Sequence, residues 1–175
     1  EWNDSGINGA ARWLNKVWDL FTQPPQKSKN SNKNEDSERD ILRNLHKTIS
    51  RVGEDIERFK YNTAISSLMQ YTNQLTDKRS DETISKATWK ECLDKLLVLM
   101  APIAPHLSEE LWEMSGNAFS VHQQKWPEYD DQLATDENIT LVVQVNGKLR
   151  DKIETPITIT EDEAKKAAMA SEKIK

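Results

Sequence analysis

Arg39, Arg43, Lys47 and Arg51 recur every four residues. On a helix, which turns about 100° per residue, such a row drifts by only about 40° per step. Four cations along one side of a helix suit the phosphates of a nucleic-acid backbone. The plainer reading is a solvated helix surface. Asp40, Glu54, Asp55 and Glu57 dilute the row, and on spacing alone the plainer reading has the edge. Arg12 and Lys16 form a shorter pair one helical turn apart. Lys148, Arg150 and Lys152 would share one face of a strand, because side chains two apart point the same way. Solvated lysines on an edge strand are the ordinary alternative there.

Residues for bond-making chemistry are sparser. Glu109, Glu110 and Glu113 cluster near His106, and a carboxylate–imidazole set could move protons. Acidic residues near a helix start more simply complement its dipole, and His106 reads as a local hydrogen-bonding residue at that start. His46, His106 and His122 lack metal-ligand spacing. The lone Cys92 excludes an internal disulfide framework and reads as a small core residue. The five glycines are scattered and form no phosphate loop. The chain as it stands is read as carrying no catalytic site, metal or cofactor of its own.

Composition bounds these readings. The net charge of -5 over 175 residues argues against a free-standing nucleic-acid binder, though local basic patches are compatible with it. No apolar run approaches the roughly 18 residues of a membrane span, and no signal segment opens the chain. A reducing, cytoplasmic compartment fits the single cysteine. The opening "EWNDSGING" lacks Met and begins directly on a motif, which reads as an excised fragment.

Helices must position the cations. Asp4 and Ser5 are cap-type residues, and Ile7, Ala11, Leu14, Trp18 and Phe21 fall on one helical face ahead of Pro24 and Pro25. Residues 26–37 hold no apolar side chain and read as a flexible loop. Leu42, Leu45, Ile49, Val52, Ile56 and Phe59 make a bundle-packing stripe on a second helix. Asn62 can cap a third, with Tyr61, Ile65, Leu68, Thr72 and Leu75 inward. Trp89, Leu93, Leu96, Leu97 and Met100 mark a fourth that stops before Pro102. Pro105 can open a fifth, with Leu107, Leu111 and Trp112 inward and Gly116 closing it.

The pattern then changes. Residues 119–137 show no sustained period and read as an irregular connection. Strands from Thr140 to Val145 and from Lys148 to Glu154 flank an Asn146–Gly147 turn, with Leu141, Val143, Val145, Leu149 and Ile153 as candidate buried positions. Thr160 and Glu163 fit a capping box for a last helix from Glu161. The fold class is mainly α: an antiparallel bundle of about five helices, followed by a small truncated α+β piece, a β-hairpin and then a helix. The expected domains are 1–127, helical; 128–138, a linker; and 139–175, an incomplete α+β domain.

Four segments, taken in order, resemble leucyl-tRNA synthetases of the bacterial or organellar type: "EWNDSGINGAARWLNKVW", "LLVLMAPIAPHLSEELWE", "WPEYDDQL" and "LVVQVNGKLRDKI". The second is shared with the valyl, isoleucyl and methionyl enzymes; the last two are more discriminating. The likeness covers nearly the whole chain apart from residues 26–37. It implies a helical anticodon-binding domain and the start of a C-terminal domain, docking leucine tRNA by backbone contacts that carry no sequence information. The enzyme activates leucine with ATP and Mg and charges the tRNA, with catalytic and editing domains as this chain's neighbours. The signature motifs of the ATP site are absent here. The resemblance points to Arg12 and Lys16 first, then Lys148 and Arg150, as tRNA contacts, and raises the standing of Arg39, Arg43 and Lys47. It places Trp2, Asp4 and Gly6 near the junction with the catalytic domain. The alternatives are a helical scaffold with no tRNA affinity of its own, or the same module from a valyl or isoleucyl enzyme.

Overall fold

A computed structural model describes residues 4–23, 37–134, 138–145, 148–156 and 158–170. The chain divides into two compact units, residues 1–134 and 135–175.

The first unit is a helix bundle. Its main elements are α1 (Asp4–Thr22), α2 (Ser37–Glu57), α3 (Tyr61–Lys78), α4 (Lys86–Met100) and α5 (Pro105–Met114). A 3-10 turn at Val121–Gln123 and a short helix α6 (Asp131–Ala134) follow. α2 begins at Ser37, the last residue of the stretch read as a loop; 26–36 lie outside the described residues.

The core runs along α2, α3 and α4. Ile41, Leu45, Ile49 and Val52 of α2 meet Ala64, Leu68, Tyr71 and Leu75 of α3 and Cys92, Leu96, Leu97 and Met100 of α4. Burial pushes the Cys92 thiol up to about 11, and the buried Tyr71 phenol beside it also titrates above its ordinary range. Cys92 is thus a core residue, as its place in the sequence suggested. α4 stops at Met100, two residues before Pro102, and Pro105 opens α5 at its first turn. Ser85 caps α4 by accepting from the Thr88 N–H at 3.1 Å.

Three expectations about faces are corrected. On α1 the buried residues are Trp13, Val17 and Leu20, while Ile7 and Trp18 are exposed and Leu14 and Phe21 sit at the border. The inward face is turned by about 100° from the expected stripe. α1 carries apolar residues on two adjoining faces, and the Trp13 indole decides between them by donating to the buried Thr72 hydroxyl at 3.0 Å. On α3 the residue before the first turn is Lys60, which makes no side-chain cap bond; Asn62 lies within the helix and Tyr61 is exposed. Phe59 does not extend the α2 stripe. It lies beyond the end of α2 with φ +56° and is 77% exposed.

The connection after α5 is anchored rather than loose. Glu109 accepts from Ser120 Oγ at 2.5 Å and from the Val121 N–H at 3.0 Å, pinning the 3-10 turn to α5. An imidazole that the sequence did not single out, His122, also comes near this carboxylate, with Nε2 at 3.7 Å from Glu109. Farther on, the Asp130 N–H donates to His46 Nδ1 of α2 at 3.0 Å. A Cβ on Gly53 would lie 3.3 Å from the Trp126 indole nitrogen, so glycine permits that close approach.

In the second unit β1 (Asn138–Val145) pairs antiparallel with β2 (Lys148–Pro156), and α7 (Glu161–Ala170) follows. Asn146 and Gly147 lie outside the described residues. The register shifts between Val143 and Gln144, which pair with Asp151 and Leu149. Arg150 is the extra residue of this bulge, so Lys148, Arg150 and Lys152 do not continue one alternating row. Leu141, Val143 and Ile153 are half-buried, and Val142 is exposed. The capping box forms as read: Thr160 N–H donates to Glu163 Oε2 at 3.0 Å, and Glu163 N–H to Thr160 Oγ1 at 3.4 Å.

Candidate nucleic-acid interface

α3 is the element around which the expected cations gather. Its inward side is filled by Ala64, Leu68, Tyr71 and Leu75, so its outward side must be polar. That side is mostly uncharged and able to donate and accept: Asn62, Ser66, Gln70, Asn73 and Gln74 are all exposed, and Asp77 adds one carboxylate among them. Grooves run along both of its edges.

The groove between α1 and α3 encloses about 390 Å³ and is lined by Lys16, Asp19, Gln23, Thr76 and Arg79, among others. Lys16 reaches across it to α3, donating from Nζ to Asn73 Oδ1 at 2.7 Å. Arg12 stands one turn earlier on α1, its Nε bonded to the Asn8 carbonyl at 3.1 Å. Arg79 is the C-cap residue of α3, where a cation complements the helix dipole. Arg79 was not among the candidates read from the sequence, because the stretch around it, "TDKRSDET", is polar throughout and marks no one residue. Nothing in that string shows that helix pairing brings its arginine to the same groove as Lys16.

The groove between α2 and α3 is smaller, about 100 Å³, with Lys47, Arg51, Gln70 and Gln74 along it. Two members of the α2 row, Lys47 and Arg51, thus border α3. The row's drift of about 40° per step carries it from the exposed Arg39 round to the α3 edge. Arg43 lies 3.5 Å from Asp40. Lys47 is half-buried, and desolvation together with Arg43 lowers its pKa from the ordinary lysine value.

Of the remaining expected residues, Arg150 is exposed on the second unit, and Lys148 pairs with Val145 in the strand register. Asp4 and Gly6 lie in the first turns of α1, and Trp2 lies outside the described residues. A larger groove, about 620 Å³, runs along α4 with Lys86, Lys90, Lys95 and Lys125. Glu91 and Asp94 share its rim, and Lys90 is held by Asp94 at 2.8 Å and Asn117 at 2.7 Å. Among the described residues no group of three or more His, Cys, Asp or Glu could hold a metal ion. Among them no helix is long and apolar enough to cross a membrane.

Fold and site define a class: a helix bundle with an apolar core, polar grooves carrying cations along one outer helix, and a hairpin–helix unit after it in the chain. The family description "anticodon-binding domain of tRNA ligase" matches residues 38–165, and the chain belongs to that family. A leucine–tRNA ligase of Dehalococcoides mccartyi is 45% identical over 177 residues, covering 100% of this chain and 21% of that protein. A leucine–tRNA ligase of Herpetosiphon aurantiacus is 43% identical over 176 residues, covering 99% and 21%. A chain in the crystal structure of the ternary complex of Agrobacterium radiobacter K84 agnB2 LeuRS, tRNA and LeuAMS is similar in fold. It superposes with a TM-score of 0.73 at 34% identity, covering 99% of this chain and 23% of that one. The chain spans about a fifth of the length of the curated relatives it matches.

Proposed function

We propose that this chain is the tRNA-docking part of a leucine–tRNA ligase in the cytoplasm. It holds leucine tRNA by backbone contacts while catalytic and editing domains outside the chain aminoacylate and proofread. The observation that carries the reading is the groove that Lys16 and Arg79 line with Asp19 and Thr76, beside an outer face of α3 rich in amide side chains and carrying one carboxylate, Asp77. Cations neutralise phosphates and amide side chains bond phosphate and sugar oxygens, so such a surface positions a backbone without reading its sequence. Arg12, Arg39, Arg43 and Lys47 extend the contact on α1 and α2, and Lys148 and Arg150 supply a second contact from the hairpin.

ATP and Mg serve the activation of leucine in the proposed enzyme. The residues described here do not fit them: no metal-ligand cluster stands among them, and no glycine-rich loop is in the sequence. Both are therefore assigned to the rest of the enzyme.

A second reading, a scaffold that packs on the other synthetase domains, has its own support. α1 leaves Ile7 46% and Trp18 39% exposed, and the net charge is -5. This reading assigns Trp2, Asp4 and Gly6 to an interdomain contact, as the resemblance implies. Binding to leucine tRNA and to an unrelated tRNA, at low and at physiological salt, separates the two. Preference for leucine tRNA that weakens with salt supports docking; no binding at either salt supports the scaffold.

A further inference from the structure

Two helices of the bundle end in the same way. α5 ends with Gly116 at φ +76°, its N–H bonded to the Glu113 carbonyl at 2.9 Å and the Asn117 N–H to the Trp112 carbonyl at 3.3 Å. α2 ends with Phe59 at φ +56°, its N–H bonded to the Ile56 carbonyl at 3.0 Å and the Lys60 N–H to the Asp55 carbonyl at 2.7 Å. Both are the closing motif in which the left-handed residue is ordinarily glycine. Phe59 is the one non-glycine residue with positive φ among those described. Its ring is 77% exposed, so it adds nothing to the core that would offset the strain. The folded bundle would be served better by glycine.

What the phenylalanine does supply is an exposed aromatic corner. Its ring meets Tyr61 edge-on, with centroids 6.3 Å apart and planes at 73°, and Tyr61 is itself 46% exposed. An edge-on pair leaves ring faces uncovered. Arg58 and Lys60 alternate with the two rings, and the polar residues Asn62 and Ser66 of α3 come next. We infer that Phe59, backed by Tyr61, is a stacking platform for an unpaired nucleobase of the docked RNA. This rests on the docking reading above. Every base has a π-face, so aromatic side chains on a polar surface hold unpaired bases whatever their sequence. An apolar protein partner is the weaker fit, since charged residues adjoin both rings and the corner sits at one end of the proposed RNA-facing helix. The nearby carboxylates define the kind of contact. Arg58 lies 3.7 Å from Glu54, and Glu57 is also exposed, so the corner is no strong phosphate site. Its contribution is stacking, which salt screens little.

Three variants of the 175-residue chain test this. Phe59→Gly restores the residue natural to the backbone and is expected to melt at the same temperature as the parent or higher. Its affinity for leucine tRNA is expected to fall about ten-fold or more, with no change in salt dependence. Phe59→Trp is expected to bind like the parent. Its added fluorescence is expected to be quenched by a single-stranded oligoribonucleotide and not by a fully paired duplex. Lys16→Glu, in contrast, should lower the salt dependence. Unchanged affinity in Phe59→Gly, or no quenching by the single strand, overturns the platform. Quenching by the single strand without affinity for leucine tRNA would sustain the platform and overturn the docking reading.

Discussion

The indole nitrogen of Trp13 donates to the hydroxyl of Thr72 at 3.0 Å, inside the bundle and between residues 59 apart in sequence. Thr72 Oγ1 also donates to the Leu68 carbonyl at 2.8 Å, so one hydroxyl both serves its own helix and fixes the rotation of α1. That rotation is what brings Lys16 to Asn73 and hence forms the groove with Arg79.

Thr72→Val keeps the volume and removes the acceptor. The buried indole N–H then has no partner, at a cost of about 1–3 kcal/mol. The melting temperature should fall by roughly 2–8 °C by circular dichroism. Affinity for tRNA should fall with it, because α1 is free to turn.

Glu109 and Glu110 adjoin on α5 yet predict opposite outcomes. Glu109→Ala leaves the Ser120 hydroxyl and the Val121 N–H without their acceptor and should cost about 1–3 kcal/mol in urea unfolding. Glu110 is exposed, and Glu110→Ala should stay within about 0.5 kcal/mol of the parent. Equal losses would show that Glu109 does not anchor the turn.

Glu38 joins the start of α2 to the start of α4. Its carboxylate accepts from the Ser85 N–H and from the Thr88 hydroxyl. Hydrogen bonding with the Ser85 side chain first, then with the Thr88 hydroxyl, lowers its pKa from the ordinary value of 4.5. A carboxylate depressed on folding contributes stability that is present above its unfolded pKa and lost as pH falls through its folded one. Glu38→Gln should therefore be less stable than the parent near neutrality, and the gap should close in acid. Urea midpoints for both proteins at about pH 7 and about pH 3 check this; a constant gap would contradict it.

Local chemistry was legible in the sequence wherever it decides alone. Pro102 and Pro105 bracket the α4–α5 junction, and Thr160 with Glu163 marks the start of α7, because rigid φ and capping bonds act within a few residues. Gly116 was legible as a stop for the same reason. Features set by packing were not. The spacing on α1 accommodates two faces, and only Thr72 on another helix chooses between them. Phe59 keeps the period of the α2 stripe but falls past the helix end, and periodicity does not register where a helix stops. The bulge at Arg150 broke a row that strict alternation predicts. Of the interface residues, Arg12 and Lys16 came from spacing and resemblance, whereas Arg79 joins them only through the pairing of α1 with α3.

The basic groove along α3 carries the central claim, and charge reversal tests it most directly. The measurement is the affinity of the chain for leucine tRNA across a salt series, for the parent and for Lys16→Glu/Arg79→Glu. Each phosphate contact contributes about 0.9 to the slope of log affinity against log salt. The parent should bind with a steep slope, and the double variant should bind more weakly with a slope reduced by about two. A parent with no affinity, or a variant with the parent's slope, would contradict the assignment of this groove to the tRNA backbone.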